Sequence, residues 1–467
     1  MFSIIKHHLY LLQLENYNLR RFLAIVFKRP FPTDAARQKL VWTPKLILIF
    51  SLALAIYLLA AFGNILIYGW NTKGIGFALG YALIFLNSFA LLLAIVTAVL
   101  KPFDFIAKSI IVARAKSKMR KFQNLKIIGI TGSFGKTTMK EVLAAVLSEK
   151  FKVLKTPENI NTPVGIGRLI LKELSSDTEI FIVEMGAYQR GDIRALCRIA
   201  QPQIAILTGI NEAHLERFGS MENTIKAKFE IVQHAKPDAL IVLNEENKLV
   251  KDNYQKFVGA RRVEFYSQTK SPLPAPPHQG EGKAGENSSP LVGEARWGVR
   301  VPVLGEYIWG TINAGVIIAK ELGITEPEIR AGIAKIKPVP HRLELIRDSG
   351  GIIVIDDSYN GNPDGVREAI KVLKTYKDKR KIYITPGLVE AAGRIKEIHN
   401  QIGEQLDKVA DLVILIKNSV TPYIAEKLDK DRVIWFKSAA EAHAALGGIL
   451  KPGDVILFQN DWPDNYL

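Results

Sequence analysis

Residues 126–138 read Lys126-Ile-Ile-Gly-Ile-Thr-Gly-Ser-Phe-Gly-Lys-Thr-Thr138, and the reading of this stretch decides the fold. An apolar strand runs into a glycine-rich turn, and Lys136-Thr137-Thr138 opens a helix that continues from Met139 to Leu147. Such a turn can aim backbone N–H groups at phosphate oxygens, with small residues where the chain must approach closely. Gly132, Ser133, Gly135, Lys136, Thr137 and Thr138 are therefore the candidate nucleotide-binding residues. Lys136 is suited to neutralise the β- and γ-phosphates of ATP, and Thr137 to place its hydroxyl on Mg²⁺. The strict P-loop spacing wants a glycine where Ile130 stands, and the glycines fall at 129 and 132 instead, so this is a variant loop. An ordinary strand-to-helix turn is the bland alternative.

Outward from this loop, short apolar runs alternate with helical patterns, as a parallel sheet covered by helices requires. Strands are expected at Lys126–Ile130, Glu179–Val183, Ile204–Thr208 and Ala239–Asn244, and a second series at Ile352–Ile355, Lys381–Ile384, Leu412–Leu415 and Val455–Phe458. Two α/β domains follow, 126–340 and 341–467, with a boundary near Pro338 to His341. Residues 271–297, rich in Pro and Gly and without periodicity, are expected to be a disordered surface insertion, with a lid as the functional alternative.

A phosphate loop announces a nucleotide but no reaction, so the groups at neighbouring strand exits decide more. Glu184 leaves the 179–183 strand where a carboxylate can hold Mg²⁺ beside phosphates. His214 follows the 204–208 strand and reads either as catalytic or as a surface or helix-capping histidine. Lys228, by pattern alone, is a solvated lysine on the helix Met221 to Val232. Asp357-Ser-Tyr-Asn360 is a polar strand exit suited to a cleft, or equally a turn.

Taken together, residues 129–138, Glu184-Met-Gly-Ala187, Asn211-Glu-Ala-His-Leu-Glu216 and Ala227-Lys-Phe-Glu230 resemble the central domain of the ATP-dependent Mur ligases. Asp356-Asp-Ser-Tyr-Asn-Gly-Asn-Pro363 resembles the segment found in the branch that adds D-alanyl-D-alanine to UDP-N-acetylmuramoyl-tripeptide. The resemblance implies a P-loop central domain and a Rossmann-like C-terminal domain. It also implies ATP- and Mg²⁺-dependent amide formation through an acyl phosphate, on a muropeptide, with D-alanyl-D-alanine or another amine as the incoming group; a lipid-linked or non-muropeptide carboxylate of folate or polymer type is the alternative acceptor, and an ATP-gated membrane scaffold the non-enzymatic alternative. By the same resemblance, Lys136, Glu184, His214 and Lys228 are catalytic, and Thr137, Glu184, His214 and Lys228 surround the metals, Lys228 as a carbamate. Arg342, Asp357, Tyr359 and Asn360 then meet the nucleotide from the C-terminal domain. Where the family has a Gly-x-His-Asn segment and a further Asn, this chain has Gly305-Glu-Tyr-Ile308 and Thr311, and Asn313 is the expected substitute contact. Cell-wall precursor enzymes are the implied partners.

The net charge is +16, but residues 1–126 hold 17 Lys and Arg against 3 Asp and Glu, leaving +2 for the other 341 residues. The basic balance thus belongs to the front of the chain, which argues against nucleic acid as a partner. Leu46–Trp70 and Gly74–Leu100 contain no charged residue and exceed the roughly 20 residues a membrane crossing takes. Basic residues flank both runs. The expectation is a basic cytoplasmic or interfacial segment at 1–45, a transmembrane hairpin at 46–100 and a basic linker at 101–125. That makes a multi-pass protein of a bacterial inner membrane, contacting lipid, with its catalytic domains facing the cytoplasm. The hairpin stands where ligases of this kind carry a uridine-binding domain. The first 27 residues read either as an interfacial helix or as a short packed one. A lone Cys197 permits no intrachain disulfide and no cysteine-rich zinc site.

Overall fold

The computed structural model describes residues 2–15, 17–28, 40–68, 72–158, 160–213, 215–269, 299, 301–347, 351–359, 361–388 and 394–459. The 271–297 insertion, His214 and Asn360 lie outside the described residues. The chain divides into two compact units, Met1–Ile110 and Ile111–Leu467.

In the first unit, helices Phe2–Leu14 and Leu19–Lys28 precede Pro44–Tyr68, and the long helix Thr72–Met119 begins there. Leu9, Leu12 and Phe22 are buried in one cluster with Leu46, Ile49, Phe89 and Leu93, so the first helices are packed elements. The expected pair of membrane crossings is corrected here. Among the described residues one helical stretch, Phe89–Met119, is long and apolar enough to cross a membrane, its most apolar 18 residues having a mean hydropathy of 2.0. Within the helix Pro44–Tyr68, the apolar stretch Pro44–Ala60 is not among those that qualify. The helix of the second apolar run continues past Leu100 through Lys101, Asp104 and Lys108 to Met119, and the stretch that qualifies overlaps that run only in part. The multi-pass assignment and the hairpin at 46–100 fall with this finding.

The second unit holds two six-stranded sheets. The first contains β1 (Lys126–Thr131), β2 (Val153–Lys155), β3 (Ile180–Glu184), β4 (Ile204–Leu207), β5 (Leu240–Asn244) and β6 (Val263–Tyr266), in the spatial order β2-β3-β1-β4-β5-β6. Every pairing in it is parallel. Alternate residues of these strands enter two different cores: Phe181 and Val183 on one face, Ile180 and Ile182 on the other. Burial on both faces explains why the strands read as continuous apolar runs. The second sheet contains β7 (Glu344–Arg347), β8 (Ile353–Asp357), β9 (Lys381–Thr385), β10 (Leu412–Ile416), β11 (Val433–Phe436) and β12 (Val455–Gln459), in the order β11-β10-β9-β12-β8-β7. It is parallel except for β7, which runs antiparallel to β8 at the edge.

The topology positions the site. In the first sheet the chain leaves β1 between β3 and β4, where the strand order reverses, and α/β sheets bind ligands at the carboxyl ends of strands flanking such a point. Ile130 pairs with Glu184 and Thr131 with Leu207, so the turn after β1, the carboxylate ending β3 and Thr208 after β4 emerge side by side.

Candidate active site

After β1 the chain turns through Gly132 at φ +154° and Gly135 at φ +73°, then enters the helix Lys136–Leu147. At Gly132 a side chain has no room, since a Cβ there would lie 2.0 Å from Thr208 Oγ1. The turn is tied to the exit of β4: Ser133 N donates to Gly209 O at 2.8 Å, and Thr208 Oγ1 donates to Thr131 O at 3.2 Å and to Phe134 O. Lys136 Nζ donates to Gly132 O at 2.8 Å, which curls the lysine over its own loop. Burial pulls the Lys136 ammonium below its ordinary value, opposed by Glu184 and helped by Arg342. Gly132→Ala is expected to displace the loop and to cost about 1–3 kcal/mol from the backbone conformation alone. Urea unfolding and nucleotide titration of the variant check this, and an unchanged midpoint with unchanged affinity would contradict it.

Glu184, the last residue of β3, is 6% exposed. Its backbone N–H donates to Thr156 Oγ1 at 3.0 Å, and its Oε2 accepts from Thr137 Oγ1 at 3.1 Å. A hydroxyl and a carboxylate this close are hard oxygen donors of the kind Mg²⁺ takes beside phosphates. The structure thus fits the expected metal at Thr137 and Glu184.

Lys228 departs from its pattern reading. It is 2% exposed on the helix Met221–His234, whose start is capped by Ser220 Oγ accepting from Asn223 N at 3.2 Å. Burial, then the charge of Lys136, push its ammonium down to about 7 against the pull of Asp192. An amine at that value is substantially neutral near physiological pH and therefore nucleophilic.

The second sheet supplies the opposite wall. Asp357 ends β8, and burial pushes its carboxyl up to about 7 even though Arg342 and the Leu343 amide, at 3.3 Å, favour the charged form. Arg342 Nη1 donates to Tyr359 O at 2.5 Å, and the guanidinium lies 4.6 Å from the centre of the Tyr359 ring. Asn362 caps the helix Pro363–Lys374 by accepting from Gly365 N at 3.1 Å, with Pro363 in the first turn. Asn211 Nδ2 bridges the two halves, donating to Asn362 Oδ1 at 3.0 Å and Asp364 Oδ2 at 2.7 Å, and Arg394 pairs with Glu212.

A cavity of about 560 Å³ lies between these walls, in the size range of nucleotide and cofactor sites. Ser133, Gly135, Lys136, Thr137, Thr138, Glu184 and Lys228 line it from the first sheet, and Arg342, Asp357 and Tyr359 from the second. Asn313 is not among the lining residues: it is 1% exposed and donates to Ser267 O at 2.6 Å. Tyr307, Gly310 and Thr311 of the same helix reach the cavity instead. Tyr307 is a lining residue that pattern reading missed, and burial pushes its hydroxyl up to about 12. Its only sequence signal is an aromatic residue where a helix starts.

Comparison with known proteins agrees with this arrangement. Residues 130–309 match the Mur ligase middle domain, and residues 341–459 match the Mur ligase glutamate ligase domain. Over 350 residues the chain is 27% identical to the UDP-N-acetylmuramoyl-tripeptide–D-alanyl-D-alanine ligase of Bacillus subtilis, covering 72% of each. It is 28% identical over 288 residues to the enzyme of that name from Escherichia coli, covering 60% of this chain and 61% of that one. The crystal structure of the MurF ligase of Thermotoga maritima in complex with ADP superposes with a TM-score of 0.65 at 27% identity, covering 76% of this chain and 80% of that one.

Proposed function

Given that this chain belongs to the Mur ligase family and carries its two ATP-dependent ligase domains, we propose that it joins D-alanyl-D-alanine to the peptide carboxylate of a muropeptide. The observation that carries the reading is the meeting, in one cavity, of Lys136, Thr137 and Glu184 from the first sheet with Arg342 and Asp357 from the second. Phosphoryl transfer needs charge compensation from several directions, and this is the wall on which it is supplied.

In this reading a carboxylate oxygen of the acceptor attacks the γ-phosphorus of ATP, ADP leaves, and an acyl phosphate remains. The neutral amine of the incoming dipeptide attacks the acyl carbon, and phosphate departs with the amine's proton as the amide forms. Lys136 moves from Gly132 O to the phosphate oxygens, and the loop amides orient them. Thr137 and Glu184 would hold Mg²⁺, which would offset the negative charge of the β- and γ-phosphates. Arg342 and Asp357 position the nucleotide from the C-terminal side. Neutral Lys228 adds to carbon dioxide, releasing a proton and presenting a carbamate to the cation site.

Incubation with ATP, Mg²⁺, D-alanyl-D-alanine and a panel of UDP-linked, lipid-linked and non-muropeptide carboxylates, followed by mass analysis, tests the proposal. The expected product is a muropeptide heavier by the dipeptide less one water, formed with one ADP. Extension of only a non-muropeptide carboxylate, such as a folate, would overturn the substrate and keep the ligase.

A further inference from the structure

The helix that starts at Lys136 carries a second lysine one turn later. Lys140 is 0% exposed, and its Nζ has no hydrogen-bond partner among the described residues. Its Nζ lies 3.6 Å from Glu184 Oε2 and 3.6 Å from Glu141 Oε1. Burying an ammonium without a hydrogen bond is costly, and an apolar side chain of similar length would fill the same space at no such cost. A role is therefore to be sought in what the charge does for its neighbours. Glu141 already pairs with Lys155 through Oε2, so charges alternate inward from Lys155 through Glu141 and Lys140 to Glu184. At the end of that series, Glu184 Oε2 sits between the Lys140 ammonium and the Thr137 hydroxyl.

We propose that Lys140 is a positioning residue: its ammonium, held against Glu184 Oε2, fixes that carboxylate beside Thr137 so that a divalent cation meets both oxygens already in place. The proposal rests on the reading of Lys136, Thr137 and Glu184 as the phosphate and cation site. Groups that hold a metal ligand from behind govern metal affinity through the orientation of that ligand.

The test is the Mg²⁺ dependence of binding of a non-hydrolysable ATP analogue, followed by titration calorimetry. Lys140→Met is expected to raise the half-saturating Mg²⁺ concentration by about tenfold, while metal-free nucleotide affinity stays within about twofold. In a Glu184→Gln background the same substitution is expected to add nothing further, because the residue acts through Glu184. Lys140→Gln is measured in parallel, and Lys140→Arg is expected to recover part of the loss. Neutral variants that fold and keep the wild-type Mg²⁺ dependence would overturn the proposal. So would an equal loss in the Glu184→Gln background. Collapse of both neutral variants would assign the lysine to stability alone and overturn it as well. If the wild type itself shows no Mg²⁺-dependent nucleotide binding, the reading of the site fails rather than the role of Lys140.

Discussion

Lys136→Ala is expected to abolish amide formation, lowering turnover by at least about 10³-fold with little loss of stability. Removing a single donor aimed at developing charge costs about 10²–10³ in rate, and Lys136 brings a full positive charge into a loop whose other donors are backbone amides. Folding should tolerate the change, since burial already disfavours the ammonium and its hydrogen bond to Gly132 O is a local one. Product and ADP are to be measured together with the thermal transition. A folded variant with near-normal ligation would remove the phosphate loop from the account.

Lys228→Ala is expected to lose about 10²-fold or more of activity, by the same measure of a lost charge-stabilising group, and to regain part of it with added formate or acetate. A short carboxylate can occupy the space left by the side chain and stand in for the carbamate. An unmodified lysine acting as a cation would instead be rescued by amines. A pH experiment separates the two states of the residue. The folded value of about 7 lies below an unfolded value near 10.4. Between those limits the unfolded chain binds more protons, so stability rises with pH through that window. Below pH 7 both states are protonated and the slope from this group vanishes. Lys228→Met should flatten the rise between about pH 7 and 10 in protein freed of carbon dioxide and nucleotide. An identical slope in wild type and variant would place the ammonium elsewhere than in the buried site.

The interior of both sheets is legible from apolar runs, and the edges are not. The eight expected strands correspond to β1, β3, β4, β5, β8, β9, β10 and β12, which fill the interior positions. The four outside that series, β2, β6, β7 and β11, are the edge strands. β3 and β10 are buried at every residue, whereas β2 and β11 are half-buried throughout. An edge strand is covered on fewer sides, so its side chains need not be apolar, as Lys155 of β2, Glu264 of β6 and Glu344 and Arg347 of β7 illustrate, whereas Val433-Ile-Trp-Phe436 of β11 is an apolar run outside the expected series.

The site divides in the same way. Lys136, Thr137 and Glu184 are legible because each ends or follows an apolar strand. Lys228 has the pattern of a surface lysine by residue type alone, although Thr224, Ala227, Lys228 and Ile231 form one buried stripe at helical spacing. Asn313 failed as a lining residue because its helix turns Tyr307, Gly310 and Thr311 toward the cavity. The absence of charge over Leu46–Trp70 and Gly74–Leu100 locates the helix Pro44–Tyr68 and the start of Thr72–Met119, but a charge-free run records composition and does not by itself distinguish a membrane span from a packed helix such as the one that buries Leu46 and Ile49.

The central claim is that the cavity activates a carboxylate by phosphoryl transfer before it forms an amide. It is tested most directly with a muropeptide whose terminal carboxylate carries oxygen-18, incubated with ATP, Mg²⁺ and D-alanyl-D-alanine. The account predicts that each amide formed transfers a single labelled oxygen to the released inorganic phosphate. Amide product accompanied by unlabelled phosphate would contradict it.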